Sequence, residues 1–189
     1  MKWLFIAVST LVAIAAVVLL LASAKPGTVS VSRSIVIHAP APTVFALIDD
    51  LHNWPLWAPQ DREDATMKRD FGGAPRGVGA MSSWTSKGRS GTGQMIITQS
   101  IPDSRVDVTV DFHAPFVAHN TNRFVLERDG DGTHVTWSMQ GTNIFILRLM
   151  SVFVSPDAIL GSHFEKGLAA LKSNAERSAK SQEKPAGGG

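Results

Sequence analysis

The hydropathy pattern divides the chain into three kinds of sequence. From Trp3 to Ala24 the residues are almost uniformly apolar, interrupted only by Ser9, Thr10 and Ser23 and by no charge. About 20 apolar residues suffice to cross a bilayer's hydrocarbon core as a helix. From residue 29 the period becomes two. In VSVSRSIVI, residues 29–37, Val29, Val31, Ile35 and Ile37 share one face, with Arg33 as the exception, which predicts a half-buried strand. Pro40 and Pro42 punctuate the chain. Val44, Leu47, Ile48 and Leu51 then follow at helical spacing and predict a short amphipathic helix over 42–50. Pro55 and Pro59 break the stretch HNWPLWAP, residues 52–59, into a turn or an interrupted second helix.

Beyond residue 65 the pattern is that of strands, at 65–70, 78–87, 91–100, 104–112, 119–128 and 133–141. Val106, Val108, Val110 and Phe112 alternate with Asp107, Thr109 and Asp111. Val135, Trp137 and Met139 likewise alternate with polar neighbours. Asp129-Gly130-Asp131-Gly132, between two alternating runs, signals a tight hairpin. The end returns to helix: Leu160, Phe164, Leu168, Leu171 and Ala175 form one apolar stripe, with Ser155-Pro156-Asp157 as its start. Residues 179–189 are polar, end in three glycines and read as a disordered tail. The predicted units are an anchor or signal segment at 1–25, one domain at 26–178 and the tail. The class is α+β: a curled antiparallel sheet of seven strands whose concave side the long final helix must cover.

Composition narrows the chemistry. The 189 residues carry a net charge of +2 with no long basic run, which argues against a dedicated nucleic-acid binder. Cysteine is absent, excluding disulfides, thiol catalysis, cysteine-held metals and lipoprotein acylation. No cofactor is implied. Two readings of the N-terminal segment compete. Ala22-Ser23-Ala24 has the small-x-small form of a signal-peptidase site, with Lys2 as its positive region and cleavage near Ala24. The apolar run, however, exceeds the ~7–15 residues of a signal peptide core, which favours a retained anchor. The short leading tail favours insertion with the N-terminus inside. Either way the domain lies outside the cytoplasm. If the anchor is retained, Lys25 to Thr28 hold the domain against the membrane surface, since each residue reaches at most about 3.6 Å.

The order of elements, with the local sequences SIVIHAPAPTVFALIDDLHNWPLWAP, GVGAMSSW, GTGQMIIT, DGTHVTW and GSHFEKGLAAL, resembles the START-like or SRPBCC superfamily. The nearest likeness is to its polyketide cyclase/dehydrase and lipid-transport branch, over roughly residues 29–176. The resemblance implies a helix-grip: a curved seven-stranded antiparallel sheet wrapped round a long C-terminal helix and enclosing a cavity. It further implies an apolar ligand such as a lipid, sterol, quinone or polyketide. Fold alone does not fix function in so broad a superfamily.

Cavity candidates on the sheet are Val108, Val110, Phe112, Val135, Trp137 and Met139, with Trp84, Met95, Phe71 and Phe124 of less certain facing. The final helix adds Leu160, Phe164 and Leu168. Any one of them can equally be core. Trp54 and Trp57 either close a cavity mouth and stack on a ligand, or plug a satellite core. The stretch IFILRLMSVFV, residues 144–154, predicts a helix with one narrow polar edge. It is either a buried connecting helix or a lid that touches lipid through Phe145, Leu149 and Phe153.

The six histidines, His38, His52, His113, His119, His134 and His163, form no metal-ligand pair at close spacing, and His52 beside Asp49 and Asp50 reads best as a solvated cluster. No catalytic or metal-binding residue is assigned. Three functions remain: a membrane-tethered binding or transport module for a hydrophobic small molecule; a cyclase or dehydratase acting in the same cavity, which needs an inward ionisable group; and an interaction domain whose cavity is filled. Asp111 or Arg123 serves the second only if its strand faces opposite to the assignment above. Oligomeric state is left open.

Overall fold

A computed structural model describes residues 1–88 and 90–183. Helix α1 (Lys2–Ser23) leads to β1 (Thr28–Ile37), α2 (Ala41–Asp49), a 3-10 segment (Leu51–Leu56) and the short α3 (Pro59–Glu63). Six strands follow: β2 (Lys68–Gly73), β3 (Ala80–Thr85), β4 (Thr92–Ile101), β5 (Arg105–Ala114), β6 (Ala118–Asp129) and β7 (Gly132–Thr142). The chain closes with α4 (Phe145–Met150) and α5 (Pro156–Glu183). The seven strands form one antiparallel sheet in the order β1-β7-β6-β5-β4-β3-β2, gripping α5 as the alternating pattern requires.

Register gives this sheet two distinct ends. The anchor end holds the start of β1 and the finish of β7, since Thr28 pairs with Thr142. It also holds the β5–β6 connection, where Phe112 pairs with Ala118, and the β3–β4 connection, where Thr85 pairs with Thr92. The distal end holds the β6–β7 turn, where Asp129 pairs with Gly132 across a tight turn with Gly130 at φ 57°.

Arg33, the polar exception in β1, lies opposite Trp137 on the inner face of the sheet. There it clamps α5: its guanidinium donates to both Asp157 oxygens at 2.8 and 2.7 Å and to Glu165 at 2.8 Å. Those hydrogen bonds raise the Arg33 pKa and hold the Asp157 carboxyl below its usual range. Gly161 makes room for the clamp, because a Cβ there would sit 2.0 Å from Arg33 Nη2. Further along, Lys172 donates to the Val36 carbonyl and the His38 amide donates to Glu176, so α5 follows β1 towards the distal end.

Three expectations need correcting. The second strand starts at Lys68 rather than 65. Asp64 captures the Thr66 amide at 3.0 Å and its hydroxyl at 2.7 Å, which turns the chain before pairing can begin. No residue of α4 is buried, so the buried connecting helix is not found; α4 packs instead against α1. The expected tail from 179 is helical as far as Glu183, with Ala179 continuing the buried stripe, while 184–189 lie outside the described residues.

α1 itself is 22 residues long with a mean hydropathy of 3.0 over its most apolar stretch. Its exposed side chains run from Trp3 to Leu21; only Ala22 is buried and Val18 half-buried, so its contact with the domain is confined to the last two turns.

Candidate functional site

Register sorts the side chains that face α5. Val106, Val108, Val110 and Phe112 of β5 lie in line with Phe124 and Asn122 of β6, Val135, Trp137 and Met139 of β7, and Met95 and Ile97 of β4. The outer face takes the remaining positions. There Arg105 and Arg123 both bond Asp107; burial opposes ionisation of that carboxyl, and the two arginines outweigh it and hold its pKa low. Asp111 is also outside, against His119. Neither Asp111 nor Arg123 therefore reaches the interior.

The middle of the grip is filled by aromatic rings. Trp57 is fully buried, with ring centroids 4.8 Å from Trp54 and 5.8 Å from both Phe124 and Trp137. Phe124 stacks on Trp137 at 5.1 Å, and Trp137 stacks on Phe164 at 4.1 Å with planes 8° apart. Buried indoles need acceptors, and each has one at 2.9 Å: Trp54 donates to the Ile48 carbonyl, Trp57 to the Leu47 carbonyl and Trp137 to Asn122 Oδ1. Trp54 and Trp57 thus sit in the main core, carried there by the 3-10 segment. Gly167 permits the close approach of α5, since a Cβ there would lie 2.7 Å from the Trp137 ring and 3.2 Å from Pro59.

Exposure rises towards the anchor end along the inner rows of β5, β7 and α5, whereas on β1 Val29 and Val31 stay buried at that end. On β5 Val106 and Val108 are 0% exposed, Val110 is 7% and Phe112 is half-buried. On β7 the series is Val135 0%, Trp137 4% and Met139 8%. On α5, read backwards, it is Leu171 0%, Leu168 1%, Phe164 3% and then half-buried Leu160. Met95 and Trp84 belong to the same loosened side, with Trp84 edge-on to Phe112 at 5.4 Å. Phe71 stands apart: on edge strand β2 it is 40% exposed and stacks on His52 at 4.1 Å. Two surface clefts, of about 490 Å³ beside Lys172 and Arg177 on α5 and about 600 Å³ beside Phe45 and Asp49 at the distal end, include none of the predicted cavity residues.

Several polar groups lie on or beside the inner face without the apolar signal that marks it in the sequence. Arg69 forms a buried ion pair with Asp61, donating from Nη2 at 2.7 Å, reaches Ser82 at 3.0 Å and lies 5.8 Å over the Trp84 ring. A buried pair of this kind is costly to break from one side. Asn120 and Asn122 share the parity of Phe124, a signal that strict alternation could have revealed. His163, on α5 next to Phe164, has its pKa lowered chiefly by burial, with Glu63 and Lys166 as its charged neighbours. Among the described residues no three histidines or carboxylates are placed to hold a metal ion.

Over residues 28–176 the sequence matches the family described as polyketide cyclase / dehydrase and lipid transport. No curated protein matches it. Solved structures share the fold. A protein from Chromobacterium violaceum superposes with a TM-score of 0.56 at 16% identity, over 80% of this chain and 99% of its own. Ara h 8.0201 gives 0.55 at 15% identity, over 82% and 99%. The di-domain ARO/CYC StfQ of the steffimycin biosynthetic pathway gives 0.59 at 10% identity, over 81% of this chain and 52% of its own.

Proposed function

This chain belongs to the polyketide cyclase / dehydrase and lipid transport family, and from that premise we propose that it is a membrane-tethered module that holds a hydrophobic small molecule. The ligand, lipid-, quinone- or polyketide-like, lies in the anchor-end half of the grip, among Val110, Phe112, Met139 and Leu160. The observation that carries this is the graded burial of three inner rows: β5, β7 and α5 are fully closed at Val106, Val135 and Leu171 and reach half-buried Phe112 and Leu160 towards α1. A site of this kind binds by apolar burial, worth roughly 25 cal/mol per Å², with half-buried Asn120 on the same inner face to orient a headgroup. The domain is extracytoplasmic, held by α1 as an uncleaved anchor.

In this account α4 is the lid. It carries Phe145 and Leu149, Phe153 follows in the next turn, and α4 leans on the last two turns of the anchor. The ligand therefore enters from the lipid side. A cyclase- or dehydratase-type reaction in the same space gains nothing from the outward Asp111 and Arg123. The aromatic filling of the distal half favours an interaction domain only if the anchor half is also empty of ligand.

Native mass spectrometry of the full chain purified from membranes, followed by extraction of apolar compounds, separates these readings. The binding module predicts a co-purifying apolar molecule. Repeated recovery of the bare protein mass would count against it and for the interaction domain.

A further inference from the structure

Large apolar side chains exposed outside α1 are unevenly distributed. Ten follow α1 among the described residues, and six of them lie at the anchor end: Phe116, Val117, Phe145, Met150, Phe153 and Val154. Scattered single apolar residues are ordinary on a surface, whereas a cluster at one end marks an interaction site. Four of the six belong to α4 and the turn after it. The other two form the tip of the β5–β6 hairpin, an element with no part in the lid described above. Phe116 is 54% exposed and Val117 77%, between Ala114 and Ala118 at the strand ends.

Register fixes where this tip lies. Phe112 pairs with Ala118, Asn120 with Gly141 and Thr142 with Thr28, so the tip leaves the sheet at the same end as the anchor's junction with β1. Two to three strand spacings separate it from β1, about 12 Å. The depth of the surface is set by α1. The domain touches that helix over Val18 to Ala22, so α4 lies alongside its last turns and not beyond its end. Six residues from Val18 to Ser23 rise about 9 Å, comparable to the ~5–10 Å to which interfacial apolar elements sink.

We infer that the β5–β6 hairpin tip, Phe116-Val117, inserts into the bilayer as a second contact beside α4, so that the loosened end of the grip faces lipid squarely and not at a tilt. The occupant of this surface is the hydrocarbon–headgroup boundary of the membrane that α1 spans. Charge contributes little: nearby Asp111 pairs with His119, Asp157 pairs with Arg33, and Arg148 within α4 lies over the Phe145 ring. Insertion is thus expected in zwitterionic vesicles and at high salt. This inference rests on the tethering proposed above.

The chain lacks cysteine, so Val117→Cys gives a single labelling site, and Asp131→Cys on the distal β6–β7 turn a control. Each full-length variant is labelled with an environment-sensitive fluorophore and reconstituted in phosphatidylcholine vesicles. The expected result is blue-shifted emission at 117 that is quenched by shallow nitroxide lipids and is unchanged at high salt, with neither effect at 131. Emission at 117 as water-exposed as at 131, in a chain that resists alkaline carbonate extraction, would overturn the hairpin insertion and leave the tether standing. A chain released by carbonate would overturn the tether and the insertion together. Phe116→Ser in the Val117→Cys background should reduce the blue shift; an undiminished shift would also contradict insertion of Phe116.

Discussion

The distal and anchor halves of the grip are built from the same strands and the same helix, yet they differ in what fills them. In the distal half the 3-10 segment delivers Trp54 and Trp57 into contact with Phe124 and Trp137, and each indole finds a fixed acceptor. In the anchor half no comparable element enters. Val110 and Met139 belong to the core there, half-buried Phe112 and Leu160 pack against it, and none of the residues of nearby α4 is fully buried. Under the proposed function the distal half carries most of the fixed aromatic packing and the anchor half admits the guest. Well-packed cores tolerate little change of volume, so the two halves should respond oppositely to mutation.

Trp57→Ala should show the largest effect. It removes a fully buried ring from the centre of the aromatic pile and should cost about 3–5 kcal/mol in chemical denaturation. Gly167→Ala overpacks the same half, driving a methyl into Trp137 and Pro59, and should cost about 1–3 kcal/mol. Leu160→Trp enlarges a side chain in the loosened half. It should cost under about 1 kcal/mol while abolishing co-purification of the apolar ligand. If it destabilises as much as Gly167→Ala, the two halves are equally packed and the comparison fails.

His163 offers a pH test. Burial lowers its pKa, so the folded protein holds it neutral while the unfolded chain binds a proton near the ordinary value of 6.5. The stability it confers is complete above about 6.5 and falls away as pH drops through the lower folded value. His163→Gln should flatten that part of the stability profile; an unchanged profile would show that His163 is as solvated as a free imidazole. Phe153→Ser, at a side chain 74% exposed, should shift stability by no more than about 0.5 kcal/mol while weakening ligand exchange with vesicles.

The two halves were also unequally legible in the sequence. Period-two alternation in 106–112 and 133–141 located the inner rows, and the stripe from Leu160 to Ala175 located the helix they grip. Trp54 and Trp57 were found as unusual residues, but their destination depends on how Pro55 and Pro59 bend the chain, which periodicity does not encode. Arg33 broke the pattern of its strand because its partners, Asp157 and Glu165, lie more than a hundred residues away. Arg69 carries no signal of its burial because its partner Asp61 comes from α3, a separate element. Phe116 and Val117 carry no periodic signal, being a turn, and acquire meaning only from the register that places them at the end of the sheet where β1 leaves α1.

The most direct test of the asymmetry uses a fatty acid carrying a photoreactive diazirine, presented to the full chain in vesicles, irradiated and mapped by peptide mass spectrometry. Adducts are expected on the inner face of the anchor half, at Val110, Phe112, Met139 and Leu160, and none at Trp54, Trp57 or Phe124. Adducts confined to α1 and the outer surface, or spread evenly over both halves, would contradict it.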